Sequence, residues 1–148
     1  MFIKKKVLLM QMKLLCIFAL SFSLSACISR LSRPEMTGLI VNHQGVPQAQ
    51  VQVGEMTTDV TGQFKLKERR YYAFLVTEIL YMEAPPIFVQ EQVSKPGYQT
   101  CYLQYRSPFG GGRPKGAKWE IGTVTLKQGT DVQVPGKLQD CEVKKQEK

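Results

Sequence analysis

Short alternating stretches separated by turn residues constrain the fold of this chain more than any other feature. Residues 37–42 are apolar and β-branched, residues 50–53 alternate strictly between glutamine and valine, and residues 63–67 alternate again. Clusters rich in Gly, Pro, Asn and Asp separate short strands of this kind in antiparallel sandwiches and barrels. We therefore expect an all-β domain, an antiparallel β-sandwich of about seven short strands.

The alternation also predicts which side chains form the core. Residues two apart in a strand lie on the same face of the sheet. We expect Phe64 and Leu66 to face the same core as Val51 and Val53. Further strands are expected over residues 87–93 and 101–105, and residues 131–134 are an edge-strand candidate.

Residues 69–82 are ambiguous, because their apolar side chains fit both helical and strand spacing. We favour a strand there, with a short helix as the alternative. Turn-forming residues elsewhere are clearer. Gly45 and Gly62 stand where a positive φ is often required, and Asp59 can accept hydrogen bonds from the backbone two residues on.

The first residues differ in character from this domain. Residues 4–6 are lysines, residues 14–24 are almost wholly apolar, and small residues follow. A basic start, a short apolar run and small residues at its end are typical of a secretory signal peptide. The run is about half of the roughly 20 residues that a membrane-spanning helix needs. We interpret residues 1–26 as a signal peptide, with Met1, Met10 and Met12 as alternative starts.

The end of this segment, Leu24-Ser25-Ala26-Cys27, resembles the lipobox of bacterial lipoproteins. The resemblance implies diacylglycerol on the Cys27 sulfur, cleavage before Cys27 and acylation of the new amine. Three acyl chains would anchor the protein stably, since one chain binds a membrane only marginally. This covalent lipid is the only non-protein group expected; we expect no cofactor and no metal.

The same resemblance predicts where the chain lies. In lipoproteins of enteric-type bacteria, Asp after the lipidated Cys favours the inner membrane, and this chain has Ile28. We expect a lipid-anchored protein of the cell envelope, on the outer membrane and facing the periplasm. Its expected organisation is a lipidated tether over residues 27–35, a β-sandwich over 36–128, and a polar, partly flexible extension over 129–148.

Charge and cysteine content fit this compartment. The net charge of +8 falls to +4 without residues 1–26, which remove four lysines and no acid. Nucleic-acid binding therefore loses its compositional support. Cys101 and Cys141 are expected to form a disulfide in the oxidising periplasm, with two free thiols as the alternative. Such a disulfide would contribute about 4 kcal/mol.

Several motifs along the domain together resemble the carboxypeptidase regulatory-like domain. These are Gly38-x-Ile40-x-Asn42, Gly45-x-Pro47, Val51-x-Val53, Thr58-Asp59-x-x-Gly62-x-Phe64-x-Leu66, Val93-Ser94-Lys95-Pro96-Gly97-Tyr98 and Trp119-Glu120-Ile121-Gly122-Thr123-Val124-Thr125-Leu126. The resemblance implies a transthyretin-like (prealbumin-like) β-sandwich that is noncatalytic. Gln48 departs from the family, which usually has Leu or Val after the turn proline.

The glycine-rich stretch over residues 106–118 is the clearest candidate for binding. Its GxxxxGK[ST] spacing is absent, which argues against a phosphate site. One interpretation is a flexible, exposed hairpin connection. The other is a loop that binds a protein partner, with Phe109 as its anchor and Arg113, Lys115 and Lys118 as its charges.

No catalytic constellation is apparent in the sequence. His43 is the only histidine and stands in a turn cluster, so we expect it to be solvated. No metal-ligand spacing exists once Cys27, Cys101 and Cys141 are assigned. The aromatic residues Tyr98, Tyr102, Tyr105 and Trp119 are interpreted as core and rim packing rather than a ligand platform.

These observations lead to one functional hypothesis and two alternatives. We expect a noncatalytic, membrane-anchored lipoprotein that binds or scaffolds a protein partner in the bacterial cell envelope. The chain also resembles the type VI secretion lipoprotein, which combines a lipobox with a transthyretin-like sandwich and docks through a loop. The other alternative is an immunity or inhibitor lipoprotein against an exported toxin or hydrolase.

Overall fold

The structure, a computed structural model, describes residues 10–18, 27–75, 80, 82–129 and 139–145. Residues 10–18 are helical and exposed. No helix within the described ranges is long and apolar enough to span a membrane. Within the described residues, the strands and the 3-10 turn are, in chain order, β1 (Cys27–Arg33), β2 (Glu35–Asn42), β3 (Gln52–Val53), β4 (Met56–Thr57), β5 (Gln63–Leu66), β6 (Arg69–Phe74), β7 (Ile87–Ser94), β8 (Cys101–Ser107), the 3-10 turn (Gly110–Gly112), β9 (Lys118–Leu126) and β10 (Glu142–Lys144).

Two four-stranded sheets form the body of the domain. One has the order β10-β9-β2-β5 and the other the order β4-β3-β7-β8. All neighbours in these sheets are antiparallel except β2 and β9, which are parallel. The sheets pack as a sandwich, which confirms the predicted all-β class. A third, two-stranded sheet pairs β1 with β6.

The core lies between the sheets and is built from alternate residues of each strand. Val51, Val53, Phe64 and Leu66 all belong to it, as the alternation predicted. Each fully buried aliphatic or aromatic side chain of this size contributes about 1.5–3 kcal/mol. Strand β3 is shorter than expected, because Gln50 has a positive φ of 57° and interrupts the extended backbone before it.

The turns between the first strands form as their residues predicted. The Asp59 carboxylate accepts hydrogen bonds from the backbone N–H of Thr61 at 2.8 Å and of Gln63 at 2.9 Å. The Thr61 hydroxyl also donates to this carboxylate at 2.7 Å, and this bond, together with the backbone bonds, lowers the pKa of Asp59. Gly62 has φ +77°, and a Cβ there would lie 2.7 Å from the Ile40 carbonyl oxygen. Glycine at position 62 is therefore required by both conformation and space.

The segment expected to be a tether is instead a strand. Residues 27–33 form β1, and Cys27 is its first residue. Leu31 and Arg33 are buried at 1% and 3% exposure. The sequence of β1 is polar and does not indicate a strand. Its partner strand β6 lies far away in the chain, so the pairing is not apparent from the sequence. Residues 27–33 therefore belong to the folded domain rather than to a flexible spacer.

The segment over residues 69–82 begins as the predicted strand. Strand β6 ends at Phe74, and the chain is helical at Leu75 and at Leu80. Residues 76–79 and 81 lie outside the described residues. The described part thus contains strand up to Phe74 and helical backbone at two later residues.

A disulfide fixes the C-terminal segment to the sandwich. Cys101 on β8 is bonded to Cys141, as predicted. The bond places β10 beside β9, where it forms the edge of the first sheet. Part of the extension is thus ordered strand rather than flexible chain. The edge strand predicted over residues 131–134 lies outside the described residues.

Candidate functional site

The glycine-rich connection runs from one sheet to the other. Strand β8 belongs to the sheet of β7, whereas β9 belongs to the sheet of β2. The connection is therefore a crossover between sheets, and the hairpin interpretation is wrong. The binding loop, defined here as residues 108–117, lies at this crossover.

The glycines of the binding loop allow close packing. Gly110 and Gly111 are buried. A Cβ on Gly110 would lie 2.6 Å from Ile87 Cδ1, and one on Gly111 would lie 2.6 Å from Pro85 Cγ. The Gly111 N–H donates to the Pro85 carbonyl oxygen at 2.9 Å. The expectation of a wholly exposed loop is therefore wrong at Gly110 and Gly111, which pack against residues 85–87.

Two charged residues hold the other half of the loop. Arg70 on β6 donates to the carbonyl oxygens of Arg113 at 2.9 Å and Pro114 at 3.3 Å. The Glu68 carboxylate accepts from the Gly116 N–H at 2.8 Å and from Arg70 at 2.7 Å. Partial burial opposes ionisation of Glu68, but the hydrogen bonds from Arg70 and Gly116 outweigh it and lower its pKa.

Sequence reasoning missed this pair of residues. Glu68 and Arg70 stand two apart, a spacing that places strand side chains on one face. That opposite-charge spacing was the available signal, although it did not indicate the loop as the partner. Arg70 also donates to Ser29 Oγ at 2.8 Å, which ties β1 to the same anchor.

Three of the four predicted binding residues are exposed on the binding loop. Phe109 is 62% exposed, although its neighbour Gly110 is buried. Arg113 and Lys115 are also exposed. Lys118 is instead the first residue of β9, with its ammonium 4.0 Å from the Glu35 carboxylate. The loop thus presents one large apolar side chain and two cations on a fixed backbone.

The predicted lipidation site is accessible. The Cys27 thiol is exposed and forms no disulfide. In the β1–β6 register, Cys27 lies directly opposite Phe74.

A buried ion cluster joins β1 to the sandwich, and the sequence did not suggest it. The Arg33 guanidinium is only 3% exposed, and it donates to the carboxylates of Glu55 and Glu91. It also donates to the Lys67 carbonyl oxygen at 2.8 Å. Arg69 approaches Glu55 from the solvent side at 3.4 Å.

Electrostatics in this cluster favour the charged forms. The Arg33 hydrogen bond, opposed by burial, lowers the pKa of Glu55 from 4.5 to about 2. The Glu55 hydrogen bond, again opposed by burial, raises the pKa of Arg33. Every charge is matched, so the cluster acts as a structural bond between β1, the β3–β4 turn and β7.

The other predicted residues occupy structural positions. Tyr98, Tyr105 and Trp119 pack against the core, and the Tyr105 and Trp119 rings lie 4.7 Å apart. Tyr102 is half-buried, and His43 is exposed in its turn. Across the residues with assigned positions, no group of three His, Cys, Asp or Glu could hold a metal ion.

Comparison with known proteins assigns no family to the chain. No family model, no curated protein and no solved structure matches the chain. The binding loop, Cys27 and the sequence resemblances are therefore the features that indicate a function.

Proposed function

We propose that the chain is a noncatalytic lipoprotein of the bacterial cell envelope that binds a protein partner through the binding loop. The observation that carries the proposal is Phe109, an exposed phenylalanine on a loop whose backbone is held by packing and hydrogen bonds. Aromatic and arginine side chains on a preorganised surface supply most of the binding energy of typical protein interfaces.

The charges beside Phe109 indicate the kind of partner. Arg113 and Lys115 are exposed, and their loop contains no acid. A partner with an apolar pocket and an acidic rim would complement both features. The cations would raise the association rate, whereas Phe109 would supply affinity.

The lipobox resemblance supports the anchoring part of the proposal. Cys27 follows an apolar run and a basic start, and its thiol is exposed. Covalent lipid on Cys27 would hold the domain on a membrane, and Ile28 favours the outer one. The motifs shared with carboxypeptidase regulatory-like domains support a noncatalytic, prealbumin-like module.

The anchor is tested by replacing the lipidated residue. Cys27→Ser should release the protein from the membrane fraction of cells, either uncleaved or soluble. Cys16→Ser is the matched control, since the same substitution within residues 1–26 should leave fractionation unchanged. Membrane association that survives Cys27→Ser would contradict lipid anchoring.

The loop is tested by combining Phe109→Ser, Arg113→Ser and Lys115→Ser. All three side chains are exposed, so the variant should keep the thermal midpoint of the parent within a few degrees. It should lose the partner captured by crosslinking in intact cells. Val60→Ser, which changes an exposed apolar residue in a different turn, should retain the partner. Capture that survives the triple change would refute the role of the loop.

A further inference from the structure

The β1–β6 ribbon carries exposed aromatic side chains beside the proposed lipid. Tyr72 is 74% exposed and Phe74 is 59% exposed. Large aromatic side chains exposed side by side in a soluble domain mark a surface that contacts something else. The binding loop does not include them.

The strand register places these side chains on the same face as Cys27. Cys27 is opposite Phe74, and Ser29 is opposite Tyr72. Directly opposite residues of an antiparallel pair point to the same side, as do residues two apart in one strand. Cys27, Tyr72 and Phe74 therefore share one face, and Tyr71 belongs to the other. Further along the ribbon the same face carries Leu31 and Arg70, which pack into the domain, so its open part is the end at Cys27.

Distance then determines what this face meets. Opposite Cβ atoms are about 4.5–5.5 Å apart, and Tyr72 is about 7 Å further along the strand. The polar layer on each side of a bilayer is about 5–8 Å thick. Because Cys27 is the first residue of β1, no spacer separates its lipid from this face. Acyl chains on Cys27 would hold Phe74 at the depth of the lipid headgroups.

The chemistry of the ribbon suits that depth. Phenylalanine is apolar, and tyrosine has an apolar ring with a polar tip, the kind of side chain enriched at membrane interfaces.

We propose that the face of the β1–β6 ribbon bearing Tyr72 and Phe74 lies in the headgroup region of a phospholipid bilayer and fixes the orientation of the domain on it. This inference rests on the proposed lipidation of Cys27. It makes the protein a module held rigidly against the membrane surface, whose partner must reach the binding loop close to that surface.

Tryptophan fluorescence in vesicles tests the proposal. The full-length lipoprotein is purified from cells and reconstituted into phosphatidylethanolamine–phosphatidylglycerol vesicles, with or without brominated acyl chains that quench nearby indoles. The parent contains only Trp119, which is half-buried against Tyr105 and provides the baseline. The test variants are Tyr72→Trp and Phe74→Trp.

Two matched variants control for exposure. Tyr71→Trp places the probe on the opposite face of the same strand, and Phe88→Trp places it on an exposed position of β7. We expect brominated lipid to remove most of the added emission of Tyr72→Trp and Phe74→Trp, and to leave that of both controls unchanged.

The outcomes separate this inference from the function on which it rests. A mature chain that carries lipid on Cys27, but whose Tyr72→Trp and Phe74→Trp probes are quenched no more than the controls, would overturn the inference alone. Protection of these probes by a protein contact, such as a second copy of the chain, would do the same. Absence of lipid on Cys27 by intact mass would overturn both.

Discussion

Replacing Arg33 with methionine should lower the free energy of unfolding far more than a change at an exposed arginine would. Arg33 is 3% exposed and donates to two carboxylates and to the Lys67 carbonyl oxygen. Methionine retains an apolar chain but removes every donor. Glu91 and the carbonyl would then lie in a closed site without their partner, which is the costly way to break a buried ion pair.

The magnitude follows from the exposure of each partner. Removing one member of a buried ion pair costs about 3–5 kcal/mol. Glu55 is 38% exposed and can be rehydrated, so the lower end of that range applies. We expect Arg33→Met to lower the free energy of unfolding by about 3 kcal/mol. For a domain of this size the corresponding fall in Tm is about 10–15 °C.

Urea denaturation with the disulfide intact measures this change, followed by circular dichroism on residues 27–148 carrying Cys27→Ser. Arg69→Met is the control, since Arg69 is 60% exposed and contacts the same Glu55. That control should cost below about 1 kcal/mol. The double variant Arg33→Met with Glu91→Met should recover part of the loss, because it removes the stranded charge.

Equal effects of Arg33→Met and Arg69→Met would contradict the stabilising role of the buried ion cluster. The cluster would then not bind β1 to the sandwich, and residues 27–33 would behave as the tether that the sequence suggested.

Three further changes probe the fold. Because the pKa of Glu55 is lowered from 4.5 to about 2, the stabilisation from its ionised form is complete above about pH 4.5 and is lost as the pH falls towards 2. Glu55→Gln should therefore reduce the pH dependence of the urea midpoint between these two pH values. Reduction of Cys101–Cys141 should lower the free energy of unfolding by about 4 kcal/mol, measured by denaturation with and without reductant. Gly111→Ala should cost about 1–3 kcal/mol, since the new methyl would overlap Pro85 at 2.6 Å, and thermal denaturation should show it.

The strands that alternation predicted were those whose pattern is complete within one stretch. Phe64 and Leu66 on β5 enter the core as expected, and β7 forms where a strand was expected. The turn at Asp59 and the disulfide also formed, because each depends on local chemistry or on the cysteine inventory. The alternation of apolar residues and the turn-forming residues were therefore enough to predict most of the sandwich.

The features that were missed depend on residues distant in sequence. Strand β1 has little alternation, and its partner β6 lies about 40 residues away. Arg33 would ordinarily be assigned to solvent, and only its bonds to Glu55, Glu91 and the Lys67 carbonyl oxygen explain its burial. Three successive glycines suggest flexibility. Two of them, Gly110 and Gly111, are nevertheless buried, and the Gly111 N–H donates to the Pro85 carbonyl oxygen.

The departure from the family pattern at Gln48 also has a structural role. Its side-chain oxygen accepts hydrogen bonds from the Lys95 ammonium at 2.8 Å and the Tyr98 hydroxyl at 3.2 Å. A polar residue after the turn proline thus joins two turns from different parts of the chain. A single sequence cannot indicate such a contact, because the partners are brought together only by the fold.

The central claim is that the binding loop contacts a protein in the cell envelope, and site-specific photo-crosslinking in intact cells tests it most directly. A photoreactive phenylalanine analogue replaces Phe109 in one strain and Val60, another exposed apolar residue, in a second. We expect one dominant protein adduct at position 109 that is absent at position 60, and the identity of that protein would separate scaffold, secretion and immunity roles. Adducts at 109 with lipid or glycan alone, or the same protein adducts at both positions, would overturn the proposed role of the binding loop.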